Sequence, residues 1–173
     1  MLMRLFALAL GAGAAAHTAA ASPTQEIRID AGAVEIELID VPPDALPELT
    51  YRPQGTCQPD VDIIRQGASI EARHVKSCHG SGPHEGTVFT LRMSSRSNFL
   101  LMLDAGGISI RGDLDHYRRL DLAVGVGGIK NFRRGLALPQ ERRFLVGATA
   151  LLERDGGESE MLVKLKVGGI KLY

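Results

Sequence analysis

From Phe99 to Ile129 the chain reads FLLMLDAGGISIRGDLDHYRRLDLAVGVGGI, and LVKLKVGGIKL repeats the phrase at 162–172. Leu120, Leu122, Val124 and Val126 alternate with other residues into Gly127-Gly128-Ile129. Met161, Val163, Leu165 and Val167 do the same into Gly168-Gly169-Ile170, and Phe99–Leu103 leads into Gly106-Gly107-Ile108. Apolar residues at every second position mark half-buried strands. Glycine between two such runs permits a positive φ and a close backbone approach, so each unit reads as strand, glycine corner, strand. Outward from this stretch, glycines open β-like runs at Gly32, Gly67, Gly86, Gly106, Gly127, Gly147 and Gly168, at intervals of 35, 19, 20, 21, 20 and 21. A period near 20 predicts an all-β solenoid whose coils bury their apolar faces by stacking. The rival is an antiparallel β-sandwich, whose turns also recur at short intervals. No segment has a helical period, so helix content is expected to be low.

The ends and the cysteines bound the rest. Arg4, the apolar or small run Leu5–Ala16 and Ala19-Ala20-Ala21 have the layout of a secretory signal peptide over 1–21, with cleavage expected before Ser22. Residues 22–173 are then expected to form one β-solenoid domain in the periplasm or secreted, with no membrane span once the signal is removed. The prolines at 42, 43 and 47 break the strand rhythm. An insertion and loop are therefore placed around 41–85. Cys57 and Cys78 are the two cysteines, and in an oxidising compartment an even count predicts a disulfide. Lys plus Arg and Asp plus Glu number 20 each, so no whole-protein field draws in nucleic acid. Aromatics are 5% and Trp is absent, which predicts a core of Leu, Val, Ile and Ala.

The stretch RRLDLAVGVGGIKNFRRG from Arg118, with its second copy ending VKLKVGGIKLY, resembles the toast-rack or "putative-adhesin" β-solenoid family of bacterial envelope proteins. That resemblance covers Leu120–Tyr173 well and Phe99–Gly112 fairly, whereas 23–93 match only in rhythm. It implies a single-stranded, right-handed β-helix and brings no catalytic residues with it. The family often has Asp after the corner glycine, where this chain has Gly107, Gly128 and Gly169. Calcium held by stacked carboxylates is accordingly not expected, and no cofactor is implied.

Few constellations carry chemistry. His74, Cys78, His79 and His84, with Cys57 upstream, have zinc-ligand types, but a disulfide would consume both thiolates, so no metal site is expected. Arg111-Gly112-Asp113 is an RGD tripeptide of a kind that arises readily by chance in such a composition. Asp113, Asp115 and His116 include paired carboxylates, the equipment of a small carbohydrate-active enzyme, but read more simply as turn residues. No nucleophile elbow, zinc-protease helix, phosphate loop or dinucleotide fingerprint occurs. The pairs Arg118-Arg119, Arg133-Arg134 and Arg142-Arg143 would form a basic stripe if the coils stacked in step.

The expected function is thus a non-enzymatic structural or interaction module of the cell envelope. The alternative is binding of an anionic polysaccharide or phosphate polymer through the arginine pairs. Partners would be an envelope protein, an anionic envelope polymer, or a second copy meeting an open edge at the last run, Met161–Tyr173.

Overall fold

The computed structural model describes residues 23–76, 78, 86–143 and 146–173. The expected signal peptide, His79 and His84 lie outside the described residues. Ten strands follow one another: β1 (Gln25–Ile39), β2 (Glu48–Gln54), β3 (Asp60–Gln66), β4 (Ser69–Lys76), β5 (Gly86–Ser94), β6 (Phe99–Gly112), β7 (Tyr117–Asn131), β8 (Gln140–Arg143), β9 (Gly147–Glu153) and β10 (Ser159–Leu172). Among the described residues there is no α-helix.

Four long strands organise the core. β1, β6, β10 and β7 lie side by side in that order, all parallel. Their register sets Gly32 against Gly106, Gly106 against Gly168, and Gly168 against Gly127. All four glycines have positive φ, between 127° and 142°. A Cβ on Gly106 would stand 1.7 Å from the Gly32 carbonyl oxygen, so only glycine fits this row. The corner also switches which side chains face inward. In β1 the buried residues are Ile27 and Ile29 before the corner and Val34, Ile36 and Leu38 after it. β6 repeats this with Phe99, Leu101 and Leu103, then Ile108 and Ile110. Both arms of each bent strand therefore feed one core, which the alternation in the sequence foreshadowed.

The stacking order differs from a coil-by-coil solenoid. β10 lies between β6 and β7, so paired corner glycines are not one 20-residue period apart. The near-constant interval joins glycines of different kinds: Gly147 opens β9, which runs antiparallel to β7, and Gly86 opens β5. The sheet is mixed, with antiparallel pairs β2–β5, β3–β4, β7–β9 and β8–β9 at its flanks. The last run is not an open edge either, because β10 is paired on both sides.

A short turn, 113–116, returns the chain from the end of β6 to the start of β7, whereas β1 leads to β6 through β2–β5 and β7 to β10 through β8 and β9. Ser94 Oγ donates to the Val41 carbonyl at 2.7 Å, and the buried Tyr117 hydroxyl donates to the Ser94 carbonyl at 3.3 Å. Tyr117 packs edge-on against Phe99, and burial pushes its phenol well above the ordinary range. Cys57 and Cys78 form the expected disulfide, tying the β2–β3 connection to the segment beyond β4.

Candidate functional site

The end of the second arm gathers exposed aromatic and cationic groups at one place. Three neighbouring strands finish there with Arg111 on β6, Tyr173 after β10 and Phe132 after β7. The Arg111 guanidinium lies 4.6 Å over the Tyr173 ring, and the Tyr173 and Phe132 rings stack at 5.4 Å with 15° between planes. Backbone ladders hold these residues in step: Tyr173 N–H donates to the Ile110 carbonyl and Phe132 N–H to the Leu172 carbonyl, both at 2.9 Å. Phe132 and Tyr173 are exposed at 56% and 42%, so the stack is a surface platform rather than core.

Cations crowd the same rim. Lys171 and Lys130 sit directly opposite one another on β10 and β7, both exposed, and the residue opposite Lys171 on the other side is Ser109. Like charges placed directly opposite in a sheet are destabilising by a few tenths of a kcal/mol (~0.2–1). Arg133 donates to the Gly112 carbonyl at 2.6 Å, and Arg134 is exposed beside it. Among the described residues none of Arg111, Lys130, Arg133, Arg134 and Lys171 lies in an ion pair.

The other expected residues fall elsewhere. Arg118 and Arg119, at the start of β7, are matched by acids: Arg118 pairs with Glu160, and Arg119 with Asp121 at 3.3 Å and Glu153 at 3.8 Å. Arg142 and Arg143 are on β8, opposite Ala148 and Gly147. The three arginine pairs thus occupy the start of β7, the segment beyond its end, and a flanking strand. The RGD tripeptide is tied down: Arg111 stacks, the Gly112 carbonyl accepts from Arg133, and Asp113 Oδ1 accepts from the Asp115 N–H at 2.7 Å. His116 Nε2 lies 3.6 Å from Asp113 Oδ2, and Asp115 meets Arg154 at 3.4 Å, so these groups bind the β6–β7 turn.

A second cluster sits at the first corner. His74 Nδ1–H donates to Asp30 Oδ1 at 2.7 Å, its backbone N–H donates to Asp30 Oδ2 at 2.7 Å, and its Nε2 meets the Thr87 hydroxyl at 2.7 Å. The His74 side chain is 7% exposed and packs edge-on against Phe89. Partial burial pushes the Asp30 carboxyl upward, but the His74 backbone N–H, the His74 ring and the Ala31 N–H outweigh it and leave the group below its ordinary value. Thr87 is 3% exposed, so this Asp–His–Thr chain clamps β1, β4 and β5 together and does not present a nucleophile. A groove of about 610 Å³ beside it is lined by both signs of charge, with Lys166 on Asp104 at 2.7 Å and Arg73 on Glu71 at 2.6 Å.

Sequence reasoning found Arg133 and Arg134 but missed Lys130, Phe132, Lys171 and Tyr173. The signal was present: GGIKNF at 127–132 and GGIKLY at 168–173 place a lysine and an aromatic at matching positions after the corner, with GGISIR at 106–111 beside them. The clamp left no such trace, because Asp30, His74 and Thr87 come from three separate strands.

No family model and no curated protein matches the chain. A solved structure described as a "putative cell adhesion protein" from Clostridium sporogenes is similar at 9% identity, with a TM-score of 0.35, over 88% of this chain and 94% of that one. Among the described residues no helix is long and apolar enough to cross a membrane.

Proposed function

We propose that this protein is an exported, non-enzymatic interaction module of the cell envelope that binds an extended polyanionic partner through the rim of Arg111, Lys130, Arg133, Arg134 and Lys171. The observation that carries the reading is the Lys130–Lys171 pair, two like charges held opposite each other, neither of them in an ion pair among the described residues. Elsewhere several cations are matched by acids, as at Arg118, Arg119, Arg92 and Lys166, whereas Lys76, Arg142 and Lys164 stand exposed and outside any ion pair among the described residues. What sets the rim apart is that these cations gather at the end of three neighbouring strands, which concentrates an attraction for anions at one place. The disulfide and the signal-like leader support export.

The test is binding of the mature protein to polygalacturonate and to neutral dextran at low and high salt. Binding to the acidic polymer alone, weakened by salt, is expected. A Lys130/Arg133/Arg134 alanine variant should lose it, and an Arg118/Arg119 alanine variant should keep it. Equal loss in both variants overturns the reading, and so does failure to bind any anionic polymer, polysaccharide or polypeptide, at low salt.

A further inference from the structure

Beside the cationic rim the sheet has an open edge. β9 pairs with β7 only from Arg119 to Val124, so among the described residues Val126–Asn131 is paired with β10 on one side and with no strand on the other. Phe132 N–H points toward β10, and alternation along a parallel strand then turns the backbone groups of Ile129 and Asn131 outward. Leu136 and Leu138, in the segment that follows β7, pack against the core, and the Asn131 side chain donates to the Leu136 carbonyl at 2.7 Å.

Three other edges among the described residues are blunted in the usual ways. β2 carries Pro53, β8 is four residues of sequence QERR, and β3 carries Asp60, Asp62 and Arg65. The second arm of β7 has no proline and no acid, and Val126 beside it is 48% exposed.

Resting on the polyanion reading above, we infer that the partner is an acidic polypeptide segment that adds as an extended strand to β7 at Val126–Asn131. Its backbone completes the ladder at Ile129 and Asn131. Its carboxylates on the outward face meet Lys130, Arg133 and Arg134. A planar side chain at its end continues the Arg111–Tyr173–Phe132 stack. Charge complementarity selects this occupant over a second copy, whose own edge would bring the same cations against this one.

The experiment uses a fluorescent peptide of about eight residues alternating Glu and Val, the length of an ordinary strand, with the mature protein. Its companions are the same peptide N-methylated at every residue, and polygalacturonate. The inference expects the first peptide to bind, to lose about tenfold or more in affinity on N-methylation and with Lys130→Glu, and to slow amide exchange at Ile129 and Asn131. Equal binding of both peptides removes strand addition and leaves the polyanion reading standing. Binding of polygalacturonate without the peptide assigns the rim to a polysaccharide and overturns the inference alone. Concentration-dependent dimerisation protecting Ile129 and Asn131 assigns the edge to a second copy and overturns it too. Failure of every anionic probe sinks both readings.

Discussion

Gly168 and Gly106 meet across β10 and β6 so closely that a Cβ on Gly168 would stand 1.6 Å from the Gly106 carbonyl oxygen. With φ at +141°, Gly168 also holds a conformation that side chains resist. Gly106→Ala or Gly168→Ala should therefore cost on the order of 4 kcal/mol or prevent folding. Gly128→Ala, one residue from a corner but with nothing within 4 Å of the added carbon, should change stability by less than about 0.5 kcal/mol. Urea unfolding of the variants checks the contrast.

The Asp30 carboxyl is held below its ordinary value, so its contribution to stability is fully present above the unfolded pKa of about 3.9 and is lost as pH falls through the lower folded value. Asp30→Asn should destabilise the protein at neutral pH, and its deficit should shrink as pH falls below the unfolded value and through the lower folded one. His74→Ala leaves the buried Thr87 hydroxyl without its ring partner and should cost about 2 kcal/mol. Thermal unfolding at neutral and acid pH measures both.

Lys130→Glu places opposite charges across β7 and β10 where like charges now stand. The variant should be more stable than the native protein by about 0.5 kcal/mol while losing polyanion binding. A loss of both stability and binding would mean that Lys130 supports the fold rather than the partner.

Reduction of Cys57–Cys78 releases a sequence separation of 21 residues, which is worth about 3 kcal/mol in the chain-entropy description. Denaturant titration with and without reductant should show that loss. The β3–β4 hairpin, whose two ends the disulfide joins and which His74 holds against β1, should be the first part to become susceptible to protease.

The sequence and the structure agree where the physics is local. Alternation at Leu120–Val124 and Met161–Leu165 announced strands, and the paired glycines announced corners, because side-chain period and φ are properties of short stretches. Pairing order is not local. The interval of 20 or 21 between Gly106, Gly127, Gly147 and Gly168 suggested coils stacked in chain order, yet Gly147 opens an antiparallel strand and Gly168 pairs with Gly106 and Gly127 alike. β9 occupies the outer side of the first arm of β7, so β10 takes the inner side, and no spacing in the sequence encodes that choice. The rim was half legible for the same reason: Arg133 and Arg134 stand together in the chain, whereas the Lys130–Lys171 and Phe132–Tyr173 pairs exist only once β7 and β10 are neighbours.

The place of β10 has a consequence for how the molecule comes into being. A chain emerging from its amino end makes β1, then β6, then β7, and leaves between the last two a gap one strand wide. Until Met161–Leu172 emerges, Leu101 and Leu122 have no native neighbour across that gap, and the glycine row is broken between Gly106 and Gly127. Long-range parallel pairing of this kind is slow to form and leaves apolar surface exposed meanwhile. The final strand therefore acts as a keystone: the sheet stays split until synthesis has passed it, and a chain cut short before Met161 carries two half-sheets that cannot join.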